Sequence, residues 1–128
     1  MEKLIIIVFI LGMGCQKTSE FEEICFNNNL NKDLKHTLNQ IQNSIGTNDC
    51  ELGSEILEKT KKLNLGNINI RNLSILSSFK NLTSLDLKNN LIKDIGPLQN
   101  LINLTDLNLE NNNLSDISPL KTHFLIGS

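Results

Sequence analysis

Apolar residues recur every 22 positions through the second half of the chain. One period carries, in order, Leu82, Leu85, Leu87, Asn90, Ile92, Asp94, Ile95, Pro97, Leu98 and Leu101. Nine of these ten positions hold the same or a similar residue 22 positions later. One period earlier, the apolar positions are held by Leu63, Leu65, Ile70, Leu73, Leu76 and Phe79. A fixed interval of this length predicts a solenoid, in which each repeat forms one coil stacked on its neighbours.

Each period contains two leucines separated by one residue, such as Leu85 and Leu87. This alternation predicts one short strand per coil, with the leucines pointing inward and successive strands stacked in parallel. Asn90 and Asn112 follow the strand, and we expect them to form a structural ladder by bonding backbone groups where the chain bends. One repeat buries too little apolar surface to be stable alone, so the coils must stack and their ends must be covered.

The repeat as a whole, DIxPLxxLxxLxxLxLxxN, resembles the 22-residue leucine-rich repeat of the internalin-like bacterial class. The resemblance extends over residues 60–122. It implies an α/β solenoid, with an N-terminal helical cap followed by about three leucine-rich repeats and a short parallel β-sheet on the concave face. Asp94 and Asp116 are expected to cap the tight turn that the following proline begins on the outer side.

Residues 21–60 precede the repeats and are predicted to form the helical cap. From Lys32 onward, apolar residues fall at helical spacing on one face, and Gly46 is placed to end the helix. A second helix is expected to start with Thr47, Asn48 or Asp49 as N-cap and to run to about residue 61. The helix pair resembles the cap of some exported members of the class.

The first residues read as an export signal. Met1-Glu2-Lys3 precedes an apolar run from Leu4 to Leu11, which is too short for a stable membrane span. Residues 1–14 are therefore predicted to be a signal peptide. Gly14-Cys15 resembles the lipobox of bacterial lipoproteins, which implies lipidation at Cys15, although Gly12 stands where that motif usually has Leu. An ordinary cleaved signal is the alternative, and residues 15–20 are read as a polar tether.

The chain has three cysteines, an odd number for an exported protein. A lipid on Cys15 leaves Cys25 and Cys50 as a pair, and we expect a disulfide between them because export leads to an oxidising compartment. Two buried thiols are the alternative. The disulfide would join the segment before the first predicted helix to the start of the second and would help to seal the first coil.

Composition excludes several functions. The 128 residues include 12 Lys and Arg against 14 Asp and Glu, and only 4% are aromatic, with no Trp or Tyr. The chain thus lacks the basic surplus and the stacking platform of a nucleic-acid-binding protein. Three cysteines and two histidines do not form a recognisable zinc motif. No metal site and no cofactor are expected.

The residues that alternate with the inward leucines should face the concave side of the sheet in three rows, about 4.8 Å apart from strand to strand. Lys88 and Glu110 would then be neighbours and could form a cross-strand ion pair. We take the polar members of these rows as the candidate ligand-binding residues. The rows are Lys62, Ser84 and Asp106; Asn64, Asp86 and Asn108; and Gly66, Lys88 and Glu110.

Catalysis is not expected. Asp86, Asp106 and Glu110 could gather as carboxylates, but three shallow strands offer no cleft that excludes water and shifts a pKa. No Ser or Cys nucleophile has a His and an acid in a recognisable order, and no Asp-rich loop suits Ca²⁺. His36 lacks a partner one helical turn away and is read as a solvated surface residue.

The repeat register fails at His123, so residues 123–128 are read as an irregular or truncated tail. The chain is expected to be shortened relative to its relatives or to pair end to end, unless Phe124 and Leu125 fold back as a minimal cap.

We interpret the protein as an exported, lipid-anchored cell-envelope module that binds a protein partner from host or envelope, with simple secretion as the alternative location. A remnant without a specific partner and a glycan or peptidoglycan binder are the alternative functions.

Overall fold

The structure is a computed structural model, and it describes residues 18–120. The predictions on the signal peptide, on Cys15 and on the tail from His123 concern residues outside this range. Three helices come first, followed by three coils that each contain one strand and one 3₁₀ helix. The helices are α1 (Glu20–Phe26), α2 (Lys32–Ile45) and α3 (Cys50–Lys59), and the strands are β1 (Lys62–Asn64), β2 (Ser84–Asp86) and β3 (Asp106–Asn108). The 3₁₀ helices span Ser74–Ser78, Gly96–Asn100 and Ser118–Leu120.

Local sequence signals fix the ends of the two predicted helices. Asn31 caps α2 by accepting a hydrogen bond from the backbone N–H of Leu34 at 2.9 Å. Gly46 ends the same helix with φ of 81°, a left-handed conformation that glycine adopts without steric cost. Asp49 caps α3 through the N–H of Leu52 at 2.8 Å. Both helix predictions are confirmed.

Helix α1 was not predicted as a separate element. Ser19 is its N-cap and accepts a hydrogen bond from the N–H of Glu22 at 3.1 Å, while Phe21 is buried beneath it. Acidic residues fill its first turn, where they interact favourably with the positive end of the helix dipole. Ser19 and Glu20 therefore belong to the folded cap rather than to the tether in which the sequence placed them.

The three strands form one parallel sheet in the order β1-β2-β3. Leu63 pairs in register with Leu85, and Leu85 pairs with Leu107, so neighbouring strands are related by one 22-residue period. In β1 and β2 the central leucine is buried between two more exposed neighbours. The prediction of a solenoid with one strand per coil is confirmed.

A single apolar core runs from the cap through the coils. Leu82, Leu85 and Leu98, in the middle of the repeats, are at most 1% exposed. Burial decreases in the third coil, where Leu107 and Leu109 are half-buried and Ile117 is 62% exposed. The middle coil is therefore the best-packed part of the repeat region within residues 18–120.

The cap packs on the first coil through apolar and polar contacts. The rings of Phe21 and Phe79 lie 5.9 Å apart, and the hydroxyl of the fully buried Thr37 donates to the carbonyl of Asn72 at 2.7 Å. His36 is half-buried, and its Nε2 donates to the carbonyl of Ile68 at 2.6 Å. The prediction that His36 is a solvated surface residue is therefore wrong, because the docking of α2 on the repeats places the ring at this interface.

A disulfide joins Cys25 at the end of α1 to Cys50 at the start of α3, with the two Cα atoms 5.8 Å apart. This confirms the predicted pairing. The bond closes a loop that contains the whole of α2, so it holds the first and last helices of the cap together. None of the helices in residues 18–120 has the length and apolar content needed to cross a membrane.

Candidate functional site

The sheet brings the first two rows of candidate residues together. Lys62, Ser84 and Asp106 are Cα partners across the three strands, and Asn64, Asp86 and Asn108 are partners in the same way. We call the side of the sheet on which these rows and the third row lie the concave face. Ser84 and Asp86 are half-exposed in the central strand, so the middle of the face is open to solvent.

The third row lies just beyond the ends of the strands. The parallel register continues there, because the N–H of Asn67 donates to the carbonyl of Lys88 at 3.0 Å and the N–H of Asn89 donates to that of Glu110 at 2.8 Å. Gly66, Lys88 and Glu110 therefore remain neighbours across the coils.

The expected Lys88–Glu110 ion pair is not formed among residues 18–120. The aliphatic part of Lys88 instead lies against the first coil, where a Cβ added to Gly66 would come within 3.2 Å of Lys88 Cγ. Gly66 has no side chain, so it leaves room for the lysine stem on that side. The prediction is wrong because the available space directs Lys88 towards the first coil, whereas an exposed ion pair offers little energy to hold it near Glu110.

The second row is fixed by the backbone. The Oδ1 atoms of Asn64, Asp86 and Asn108 each accept a hydrogen bond from the N–H two residues later, all at 3.0 Å. Such Asx turns restrict the side chain and help to end the strand. In the first row, the hydroxyl of Ser84 donates to Oδ2 of Asp106 at 3.2 Å. The centre of the face is therefore ordered before any partner arrives.

Beneath the face, Asn90 connects two coils. Its Oδ1 accepts hydrogen bonds from the N–H groups of Ile68 and Ile70, at 3.2 and 2.9 Å. Its Nδ2 donates to the carbonyls of Leu65 and Leu87 at 2.8 and 2.9 Å, and to that of Lys88 at 3.3 Å. Because the first two carbonyls belong to different coils, the side chain joins the coils through their backbones.

Asn112 repeats this arrangement one coil later. It accepts from the N–H of Ile92 at 3.1 Å and donates to the carbonyls of Leu87 and Leu109 at 2.9 and 3.0 Å. The side chain is half-buried, whereas Asn90 is only 4% exposed. Both asparagines therefore bond the backbone at the bend, and the two side chains are linked through backbone groups rather than directly to each other.

A second asparagine ladder was missed. The Nδ2 of Asn89 donates to Oδ1 of Asn67 at 2.8 Å, and the Nδ2 of Asn111 donates to Oδ1 of Asn89 at 2.7 Å. All three residues have positive φ, between 56° and 64°, a conformation that asparagine tolerates better than most residues. The signal was present in the sequence, since Asn recurs at this position in all three periods.

Asp94 and Asp116 occupy the predicted capping positions. Oδ1 of Asp94 accepts from the N–H of Gly96 at 2.8 Å, and Oδ1 of Asp116 accepts from the N–H of Ser118 at 2.9 Å. These contacts fix the start of the 3₁₀ helices on the outer side of the coils. Elsewhere in the described part of the chain, no three His, Cys, Asp or Glu side chains are grouped so that they could hold a metal ion.

Comparisons with known proteins agree with this geometry. A family model described as leucine-rich repeats (2 copies) matches residues 61–100 and 80–122. An internalin (inlF) from Listeria monocytogenes has 30% sequence identity and a TM-score of 0.59, with 65% of this chain and 25% of that chain covered. An internalin C2 from the same organism has 40% identity and a TM-score of 0.46, with 47% and 26% covered. A search of curated proteins found no significant match.

Residues 61–122 are leucine-rich repeats, since the family model and the observed coils coincide over the same residues. These repeats are internalin-like, as the 30% identity to inlF across the matched region indicates. The chain spans about a quarter of the length of the two solved internalins. A leucine-rich-repeat region of this kind is a protein-interaction module.

Proposed function

We propose that the protein is an exported, lipid-anchored, non-enzymatic module that binds a protein partner from a host or the cell envelope on its concave face. The observation that carries this proposal is the alignment of polar side chains in rows across the parallel strands, with the second row fixed by Asx turns. The proposed contact residues are Lys62, Asn64, Ser84, Asp86, Lys88, Asp106, Asn108 and Glu110.

The ordered state of the face favours binding. Association costs roughly 0.5–1.5 kcal/mol for each flexible side chain that a partner must immobilise. Asn64, Asp86 and Asn108 already have one oxygen held by the backbone, so a partner orders them at lower cost. The coils beneath are joined by Asn90, so the strands keep their spacing while the partner docks. These features suit recognition better than catalysis, because Asp106 and Glu110 are exposed to water.

Two observations support export and anchoring. The Cys25–Cys50 disulfide is typical of proteins that fold in an oxidising compartment. The apolar run before Gly14-Cys15 has the order of a lipoprotein signal. Cys15 precedes the first residue of α1 by five positions in the sequence, so an anchor there would be attached next to the helical cap in the chain and not within the repeats.

Site-specific photo-crosslinking tests the binding face. We place benzoylphenylalanine at Ser84, in the central strand, and in a matched control at Ser74, an exposed serine in the first 3₁₀ helix. In intact producing cells, with host cells present and absent, we expect at least about tenfold more adduct from Ser84 than from Ser74. The adduct should decrease when excess unmodified protein competes. Equal adducts at both positions, or adducts that resist competition, would contradict the proposed face.

Metabolic labelling tests the anchor. Cells fed an alkyne analogue of palmitate should incorporate it into the unmodified protein, and Cys15→Ala should abolish the label because the acceptor thiol is lost. Cys50→Ala removes a different cysteine and should keep the label. Label that persists in Cys15→Ala would disprove anchoring at this residue, and an unlabelled wild-type chain would favour simple secretion.

A further inference from the structure

Apart from Asp86 in the central strand, the charges on the concave face are separated from one edge of the sheet to the other. Lys62, on β1, is exposed, and no acidic residue shares its strand. Asp106 and Glu110 are exposed at β3 and just beyond it, and the chain from 101 to 120 contains neither Lys nor Arg. The β1 edge of the face is therefore basic and the β3 edge is acidic.

Lys88 increases this separation. It belongs to the middle coil, but its stem lies against the position of Gly66 on the first coil, and no ion pair joins it to Glu110. Lys62 and Lys88 thus lie towards the β1 side in the first and third rows, while Asp106 and Glu110 lie on the β3 side in the same two rows. The hydroxyl that Ser84 donates to Asp106 carries no charge and does not neutralise it.

We propose that this face selects a dipolar segment of its protein partner, one whose acidic and basic side chains lie about 10 Å apart, which is twice the spacing between neighbouring strands. This inference rests on the proposed function and names the chemistry of the partner. A segment in the polyproline II conformation that crosses the strands meets the requirement with acidic and basic residues three positions apart, because that helix has three residues per turn and rises about 3.1 Å per residue. A helix meets it with a spacing of about seven residues, at 1.5 Å per residue.

The alternative arrangements of charge are disfavoured. A uniformly acidic segment would be attracted to Lys62 and repelled by Asp106, and a uniformly basic segment would meet the opposite conflict. Like charges brought together at an interface oppose association, so the dipolar segment is selected partly by exclusion of the others. Because both edges are solvent-exposed, the selection should weaken as salt shortens the Debye length to below about 8 Å.

The test is an NMR titration of the ¹⁵N-labelled protein with two peptides of equal composition. In the first, Ac-EESSKK-NH₂, the charges are separated into blocks; in the second, Ac-EKSSKE-NH₂, both ends are acidic and the dipole is absent. We expect the first peptide to shift amide resonances at both Lys62 and Asp106 and to bind about threefold more tightly at low salt. The difference should disappear above about 0.3 M NaCl.

Charge reversal separates the proposal from its alternatives. Lys62→Glu combined with Lys88→Glu makes both sides of the first and third rows acidic and should remove the preference for the block peptide. Adding Asp106→Lys and Glu110→Lys then recreates a dipole of opposite direction in both rows and should restore the preference, since a short peptide can reverse its orientation. Lys93→Glu changes an exposed lysine outside the rows and should have no effect.

Two outcomes would overturn the proposal, and they differ in what they say of the binding face. Equal shifts by both peptides on the concave face would disprove dipolar selection while leaving that face as the binding surface. Shifts confined to other parts of the molecule would contradict both dipolar selection and the proposed binding face.

Discussion

Replacing Asn90 with alanine is expected to lower the free energy of unfolding by about 3–5 kcal/mol. The side chain makes five hydrogen bonds to the backbone, and it is only 4% exposed. Alanine would leave the N–H of Ile70 and the carbonyl of Leu65 without these partners in a place that water reaches poorly. A buried unsatisfied polar group costs about 1–3 kcal/mol, and several are created at once.

Asn112→Ala is the matched control. It removes the same chemical group from the same position of the repeat, but the side chain is half-buried, so water can replace part of what is lost. We expect a decrease of about 1–2 kcal/mol. Urea denaturation followed by far-UV circular dichroism measures both values, because the chain has no Trp or Tyr for fluorescence. Equal losses in the two variants would show that burial does not set the cost.

Removing the disulfide is expected to cause the second large decrease in the free energy of unfolding. In the chain-entropy model, the double variant Cys25→Ala/Cys50→Ala releases a constraint over a sequence separation of 25 residues and should lose about 3 kcal/mol of stability. The cap covers the first coil, and stability in a solenoid comes from contacts between neighbours, so the loss should reach the repeats. Hydrogen exchange at the amides of β1 should become faster in the variant.

Reducing the disulfide of the unmodified protein is the control that separates loss of the bond from changes in side-chain packing caused by the two alanines. Dithiothreitol added to the unmodified protein should lower the midpoint of urea denaturation about as much as the double substitution does. It should leave the midpoint of the double variant unchanged, since that variant has no Cys25–Cys50 bond to reduce. If the double variant lost less than about 1 kcal/mol of its free energy of unfolding, the cap would be held by its apolar contacts rather than by the disulfide.

The repeat region was predictable because a solenoid turns a period in sequence into a period in space. Once Leu85 and Leu107 are recognised as equivalent, the register of their strands follows, and so does the alignment of Ser84 with Asp106. The helix ends were predictable because Gly46 and Asp49 act through their own backbone and the next turn. These are local effects that neighbouring residues determine.

The departures from prediction arise from contacts between distant parts of the chain. Helix α1 has only seven residues, too short to be stable alone, and it is held by the packing of Phe21 on Phe79 and by the disulfide. His36 bonds Ile68, 32 positions away, only because α2 docks on the first coil. No periodic pattern in the sequence signals either contact.

The sequence by itself determined the solenoid, the parallel register and the asparagines that join the coils, because each depends on spacing that repeats along the chain. The cysteine pair was predicted instead from the number of cysteines and from the export signal. Tertiary structure alone decided how the cap sits on the first coil and where the flexible side chains of the face lie. Lys88 shows the reason: its direction depends on the space above Gly66 in another coil, and weak surface attraction to Glu110 does not outweigh it.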